Sequence, residues 1–100
     1  MDKFAVKLYS NAASDLDEIY AYIAISLKEP ELAEKLIDEL EEAFFSLEYF
    51  PERGPFRQAG AYAGKKYRQL FVKNYVIIYK VLKEKKEVHV VTIRYTPSNF

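Results

Sequence analysis

Halfway along this chain the hydrophobic repeat changes from helical to extended, and the sign of the charge changes with it. Residues 1–50 carry twelve acidic and four basic side chains, a net −8, and most of their apolar residues recur every three or four positions. Residues 51–100 carry eleven basic and three acidic side chains, a net +8, and their apolar residues alternate. A helix buries one stripe and a strand one face, so this order demands a helical layer stacked on a sheet. The formal net charge of zero then hides a dipolar molecule, able to hold an anionic partner on its basic sheet side only.

Phe4, Val6 and Leu8 alternate with Ala5, Lys7 and Tyr9, which predicts a strand from Lys3 to Tyr9. Ser10 and Asn11 are N-cap residue types, and Asp15, Asp17 and Glu18 bring negative charge to the early turns of a helix. Leu16, Ile19, Tyr20, Ile23 and Leu27 place that helix from about Asn11 to Leu27. Pro30 opens a second helix at a position where its missing N–H is harmless. The apolar stripe of this helix is Leu32, Ala33, Leu36, Ile37, Leu40, Ala43, Phe44 and Leu47, and Pro51 ends it. Glu31, Glu34, Asp38, Glu39, Glu41 and Glu42 make its solvated face. A link of two or three residues makes the pair an antiparallel hairpin.

Pro51 to Lys66 holds two Pro and three Gly and reads as an internal connection. Strands follow at Tyr67–Val72, Tyr75–Leu82 and Glu87–Tyr95. Lys73-Asn74 makes the first turn, with Asn74 suited to positive φ, and Lys83 to Lys86 makes the second. Simple alternation puts Val88, Val90 and Thr92 on one face of the last strand, opposite His89, Val91 and Ile93; Pro97 stops it. The expected fold is α+β, in the order β-α-α-β-β-β, with the helical hairpin on one face of an antiparallel sheet and residues 1–100 as a single domain.

The absence of cysteine excludes a disulfide framework and a thiolate metal site. The first residues, MDKFAVKLYS, lack the apolar region of a signal peptide, and no apolar run has the length of a membrane span. The expected location is the cytoplasm, with no membrane partner. No Gly-rich phosphate loop or paired-carboxylate motif is present, and His89 is the sole histidine, so neither a metal nor a cofactor is expected.

Several segments together resemble the RelE/ParE toxin superfamily of bacterial type II toxin–antitoxin modules. They are "DLDEIYAYI" from Asp15, "FPERG" from Phe50 to Gly54, "YRQLFVKNYVIIYKV" from Tyr67 to Val81, and the closing "VVTIRY". The resemblance covers essentially the whole chain, and "FPERG" with the two-helix spacing leans toward the ParE branch. It implies a toxin, of the kind that serves plasmid stabilisation, neutralised by a small antitoxin. ParE-type members inhibit DNA gyrase, whereas RelE-type members cut messenger RNA on the ribosome.

Metal-free RNA cleavage needs a base for the 2′-OH, an acid for the leaving oxygen and cations for the phosphorane. The RelE-like pattern has an Arg after the first Tyr of the third strand, where this chain has Val76. It has a Lys two residues after Arg68, where this chain has Leu70. Its further Arg past the last strand meets Thr96-Pro97, and its terminal Tyr has no counterpart up to Phe100. The surviving candidates for a nuclease are Arg68, Lys73, Arg94 and Tyr95; Tyr67, Tyr75 and Tyr79 read as packing residues with wet hydroxyls. For partner binding the candidates are Lys65, Lys66, Arg68, Lys73 and Arg94, with Lys65, Lys66, Arg68 and Lys73 expected around one hairpin. The reading is therefore a ParE-like toxin that binds an antitoxin and targets gyrase, with the RelE-type catalytic residues mostly absent. The alternatives are a ribosome-dependent mRNA endoribonuclease, or a degenerate toxin that keeps only antitoxin binding.

Overall fold

A computed structural model describes residues 2–97. Strand β1 (Ala5–Leu8) leads into helix α1 (Ser10–Ala21), which widens into a π-helical turn over Tyr22–Ser26. Helix α2 (Pro30–Phe45) ends in a 3-10 turn at Ser46–Glu48. Strands β2 (Arg68–Val72), β3 (Tyr75–Leu82) and β4 (Glu87–Tyr95) follow. The sheet order is β1-β4-β3-β2. β2, β3 and β4 are antiparallel, but β1 lies parallel to β4, with Lys7 beside His89 and Leu8 beside Val90. The expected α+β fold holds, with one parallel pair at the sheet edge.

The helical hairpin covers one face of the sheet. Ala12, Ile23, Ala33, Leu36, Leu40, Phe44 and Leu47 pack against Ile77, Tyr79, Val88, Val90 and Ile93. Three residues of the expected stripes stay exposed: Tyr20, Leu27 and Leu32. The π turn accounts for Leu27, whose N–H donates to Tyr22 O, five residues back. That wider turn breaks the 3.6-residue repeat just before the hairpin link. Lys28 then reverses the chain at φ +57°.

Alternation along β4 also breaks. Ile78 pairs with Thr92 but Tyr79 pairs with Val90, so Val91 is the extra residue of a β-bulge. Beyond it the faces exchange: Ile93, not Thr92, joins Val88 and Val90 in the core. Thr92 instead donates from Oγ1 to Asp15 Oδ2 at 2.5 Å, and the same oxygen accepts from Ile93 N at 3.0 Å. β1 has ended here, so α1 covers the bare edge of β4 and Asp15 satisfies its N–H. In the β2–β3 turn it is Lys73 that takes positive φ (+53°), rather than Asn74.

Candidate functional site

The segment after α2 is locked to the sheet by its own backbone. Gly54 N donates to Tyr79 Oη at 2.9 Å, and Gln69 N donates to Pro55 O at 3.0 Å. A Cβ at Gly54 would collide with the Gln69 carbonyl oxygen and lie 2.7 Å from Tyr79 Oη. Glycine is required here by close approach rather than by a positive φ. The expectation of a wet Tyr79 hydroxyl is corrected here: the group is dry and accepts from Gly54 N. The residue is fully buried, and burial is the main cause raising its pKa.

Arg68 opens β2 and fastens the same loop. Its Nη1 donates to Gly54 O at 2.7 Å, its Nη2 lies 3.3 Å from Glu52 Oε2, and its guanidinium stacks 4.0 Å above the centre of the Phe56 ring. The side chain is only 13% exposed. Glu52 also pairs with Lys83 at 2.9 Å, and Lys83 first, then Arg68, holds its carboxyl below the usual range. These groups and Lys66 line a groove of about 500 Å³ between the loop and the β3–β4 turn. Lys65 stands next to Lys66, exposed in the loop.

Lys73 is at the other end of β2, about 16 Å from Arg68 at the rise of an extended strand. It pairs with Glu39 of α2 at 3.4 Å. Arg94 and Tyr95 share this end, where Thr96 N donates to Asn74 O at 2.7 Å and the Tyr75 and Tyr95 rings lie 5.3 Å apart. Burial, then Tyr95 and Tyr22, raises the pKa of Tyr75. Arg94 Nε donates to Thr92 Oγ1 at 3.0 Å. The structure thus brings Lys73, Arg94 and Tyr95 to one end of the sheet and Lys65, Lys66 and Arg68 to the other. Val76 is fully buried beside Arg94, and Leu70 packs toward the helical layer. Phe100 lies outside the described residues.

Two constellations escape sequence reading. Arg57 is buried; it donates from Nε to Ala61 O at 2.5 Å and from Nη1 to Gln69 Oε1 at 2.9 Å, which folds the loop back onto the sheet. On the face away from the helices, Tyr9 Oη lies 3.1 Å from His89 Nδ1 and His89 Nε2 lies 2.9 Å from Glu87 Oε1. Lys7 Nζ closes the chain 2.7 Å from Glu87 Oε2. Lys7, then His89, holds the Glu87 carboxyl down at about 2. The spacings Lys7-x-Tyr9 and Glu87-x-His89 mark one strand face each, but only the β1–β4 register joins them. Among the described residues no helix is long and apolar enough to cross a membrane, and no cluster of three His, Asp or Glu side chains is placed to hold a metal.

The family model described as "ParE toxin of type II toxin-antitoxin system, parDE" matches residues 6–100. The chain belongs to the ParE toxin family. Among solved structures, the chromosomal ParDE system of P. aeruginosa is similar at 24% identity and a TM-score of 0.77, over 94% of this chain and 97% of that one. A RelBE toxin–antitoxin complex of Mycobacterium tuberculosis is similar at 17% identity and a TM-score of 0.66, over 98% and 97%. A RelE mutant of E. coli in the free state matches at 13% identity and a TM-score of 0.60, over 93% and 82%. These likenesses show the shared RelE/ParE fold. No curated protein sequence matches this ParE-family chain.

Proposed function

We propose that this ParE-family chain is the toxin of a type II toxin–antitoxin pair, that it acts in the cytoplasm as one domain over residues 1–100, and that it inhibits DNA gyrase. A cognate antitoxin neutralises it by covering the basic side chains Lys65, Lys66, Arg68, Lys73 and Arg94. The family match supports the toxin reading. The observation that favours gyrase over messenger RNA is the dispersal of the nuclease candidates. Arg68 is held by Glu52 and Gly54 at one end of β2, while Lys73, Arg94 and Tyr95 sit at the other. A phosphorane needs its donors within hydrogen-bond reach of one point, and each missing donor costs about 10²–10³ in rate.

Purified toxin, gyrase and relaxed plasmid test this reading beside programmed ribosomes carrying a short message. The expected result is lost supercoiling with DNA breaks and an intact message. Codon-phased cuts that vanish in Arg94→Ala would establish the ribonuclease instead. A chain inert in both assays that still binds antitoxin would be a degenerate toxin.

A further inference from the structure

The Glu52 carboxylate sits between two cations. Arg68 reaches it from the floor of the groove and Lys83 from the rim, at 3.3 and 2.9 Å. Arg68 is itself fixed by the Gly54 carbonyl and by the Phe56 ring, so its fork is oriented before any ligand arrives. The groove contains four cations, Lys66, Arg68, Lys83 and Lys85, against two carboxylates, Glu52 and Glu84. Lys66 and Lys85 make no ion pair among the described residues. Between the charges lies apolar surface from Phe56, Val81 and Leu82, with Phe56 49% exposed.

We propose that Glu52 is a built-in occupant of a carboxylate-binding groove, and that an acidic, partly apolar segment of the antitoxin displaces it when the two proteins associate. The proposal rests on the antitoxin reading above and adds the seat, the chemistry and the internal competitor. An incoming carboxylate exchanges one for one with Glu52 at Arg68 and Lys83. Lys66 and Lys85 then take further carboxylates, and apolar side chains spaced between them cover Phe56 and Leu82. A nucleic-acid strand fits less well. It carries a charge on every residue and brings phosphates against Glu84, and its bases find a stacking partner in Phe56 alone, leaving Val81 and Leu82 uncovered. Because Glu52 must be released, it lowers the affinity for every acidic ligand by the same factor, so only a segment that also engages the rest of the groove binds tightly.

Two substitutions therefore move affinity in opposite directions. The probe is a fluorescein-labelled peptide of alternating Glu and Leu, titrated by anisotropy at low and physiological salt, beside an oligothymidine of equal charge. Glu52→Gln is expected to bind the peptide roughly two- to fivefold more tightly, the scale of one exposed ion pair. The paired substitution Lys66→Ala with Lys85→Ala touches no ion pair of the fold and is expected to weaken binding by a similar factor, with a shallower salt dependence. Melting curves of each variant show whether the loop is intact. Unchanged or weaker binding in a folded Glu52→Gln overturns the displacement. If Glu52→Gln does not fold, the double lysine variant decides, and unchanged binding there overturns the groove. Tighter binding of oligothymidine than of peptide overturns the ligand class. Peptide binding is read on the toxin alone, whereas the antitoxin reading is read by relief of growth arrest on co-expression of a cognate antitoxin, so either can fail without the other.

Discussion

Gly54→Ala tests the central claim about the loop after α2, that its backbone touches the sheet with no room for a side chain. The new methyl would meet the Gln69 carbonyl oxygen, which is part of β2, and would lie 2.7 Å from Tyr79 Oη. The loop must back away, and two costs follow. Overpacking against a strand costs about 1–3 kcal/mol. Withdrawal of the Gly54 N–H leaves the fully buried Tyr79 hydroxyl without its donor, at about 1–3 kcal/mol more. The sum, about 2–6 kcal/mol, is a large part of the ~5–15 kcal/mol that holds a domain together. At about 4–8 °C per kcal/mol for a chain of this size, the melting temperature should fall by at least about 8 °C. Thermal and urea melts of wild type, Gly54→Ala, Tyr79→Phe and the double variant separate the two costs. Tyr79→Phe removes the hydroxyl but not the Gln69 carbonyl, so the double variant should remain well below Tyr79→Phe alone. A Gly54→Ala protein within about 0.5 kcal/mol of wild type would refute the reasoning, as would full rescue by Tyr79→Phe.

Leu40→Ala should cost about 2–5 kcal/mol in urea unfolding, because Leu40 is fully buried between the helical layer and the sheet. Asp15→Ala should cost about 1–3 kcal/mol and speed amide exchange at Ile93, whereas Asp15→Asn, which keeps an acceptor oxygen, should lose less. Glu87 has a folded-state pKa near 2 against an ordinary 4.5, so its stabilising contribution is complete above about 4.5 and is lost as pH falls toward about 2. Acid titration of stability should therefore be shallower in Glu87→Gln than in wild type across that window, and identical slopes would count against the Lys7–Glu87–His89 chain.

The sequence determined the elements. Period two gave β3 and β4 to the residue, because alternation is local and the turn residues between them are polar. Period 3.6 with Pro30 gave α2, and the resemblance carried by "FPERG" and the hairpin pointed to the family that the matched model then established. Only the tertiary structure decided how those elements meet. A run of residues does not encode its neighbour in the sheet, so the parallel pairing of β1 with β4, and with it the Tyr9–His89–Glu87–Lys7 chain, was not legible. One bulge residue, Val91, exchanged Thr92 and Ile93 between faces, since a period of two has no tolerance for an insertion. Asp15 reads as a helix-start charge but caps a strand edge, a role created by β1 ending before β4 does. For the candidate site, the basic residues were legible as a set but their places were not. Arg68 and Lys73 are close in sequence, and an extended strand still holds them at opposite ends of the sheet, whereas Glu52 and Lys83, far apart in sequence, meet over Arg68.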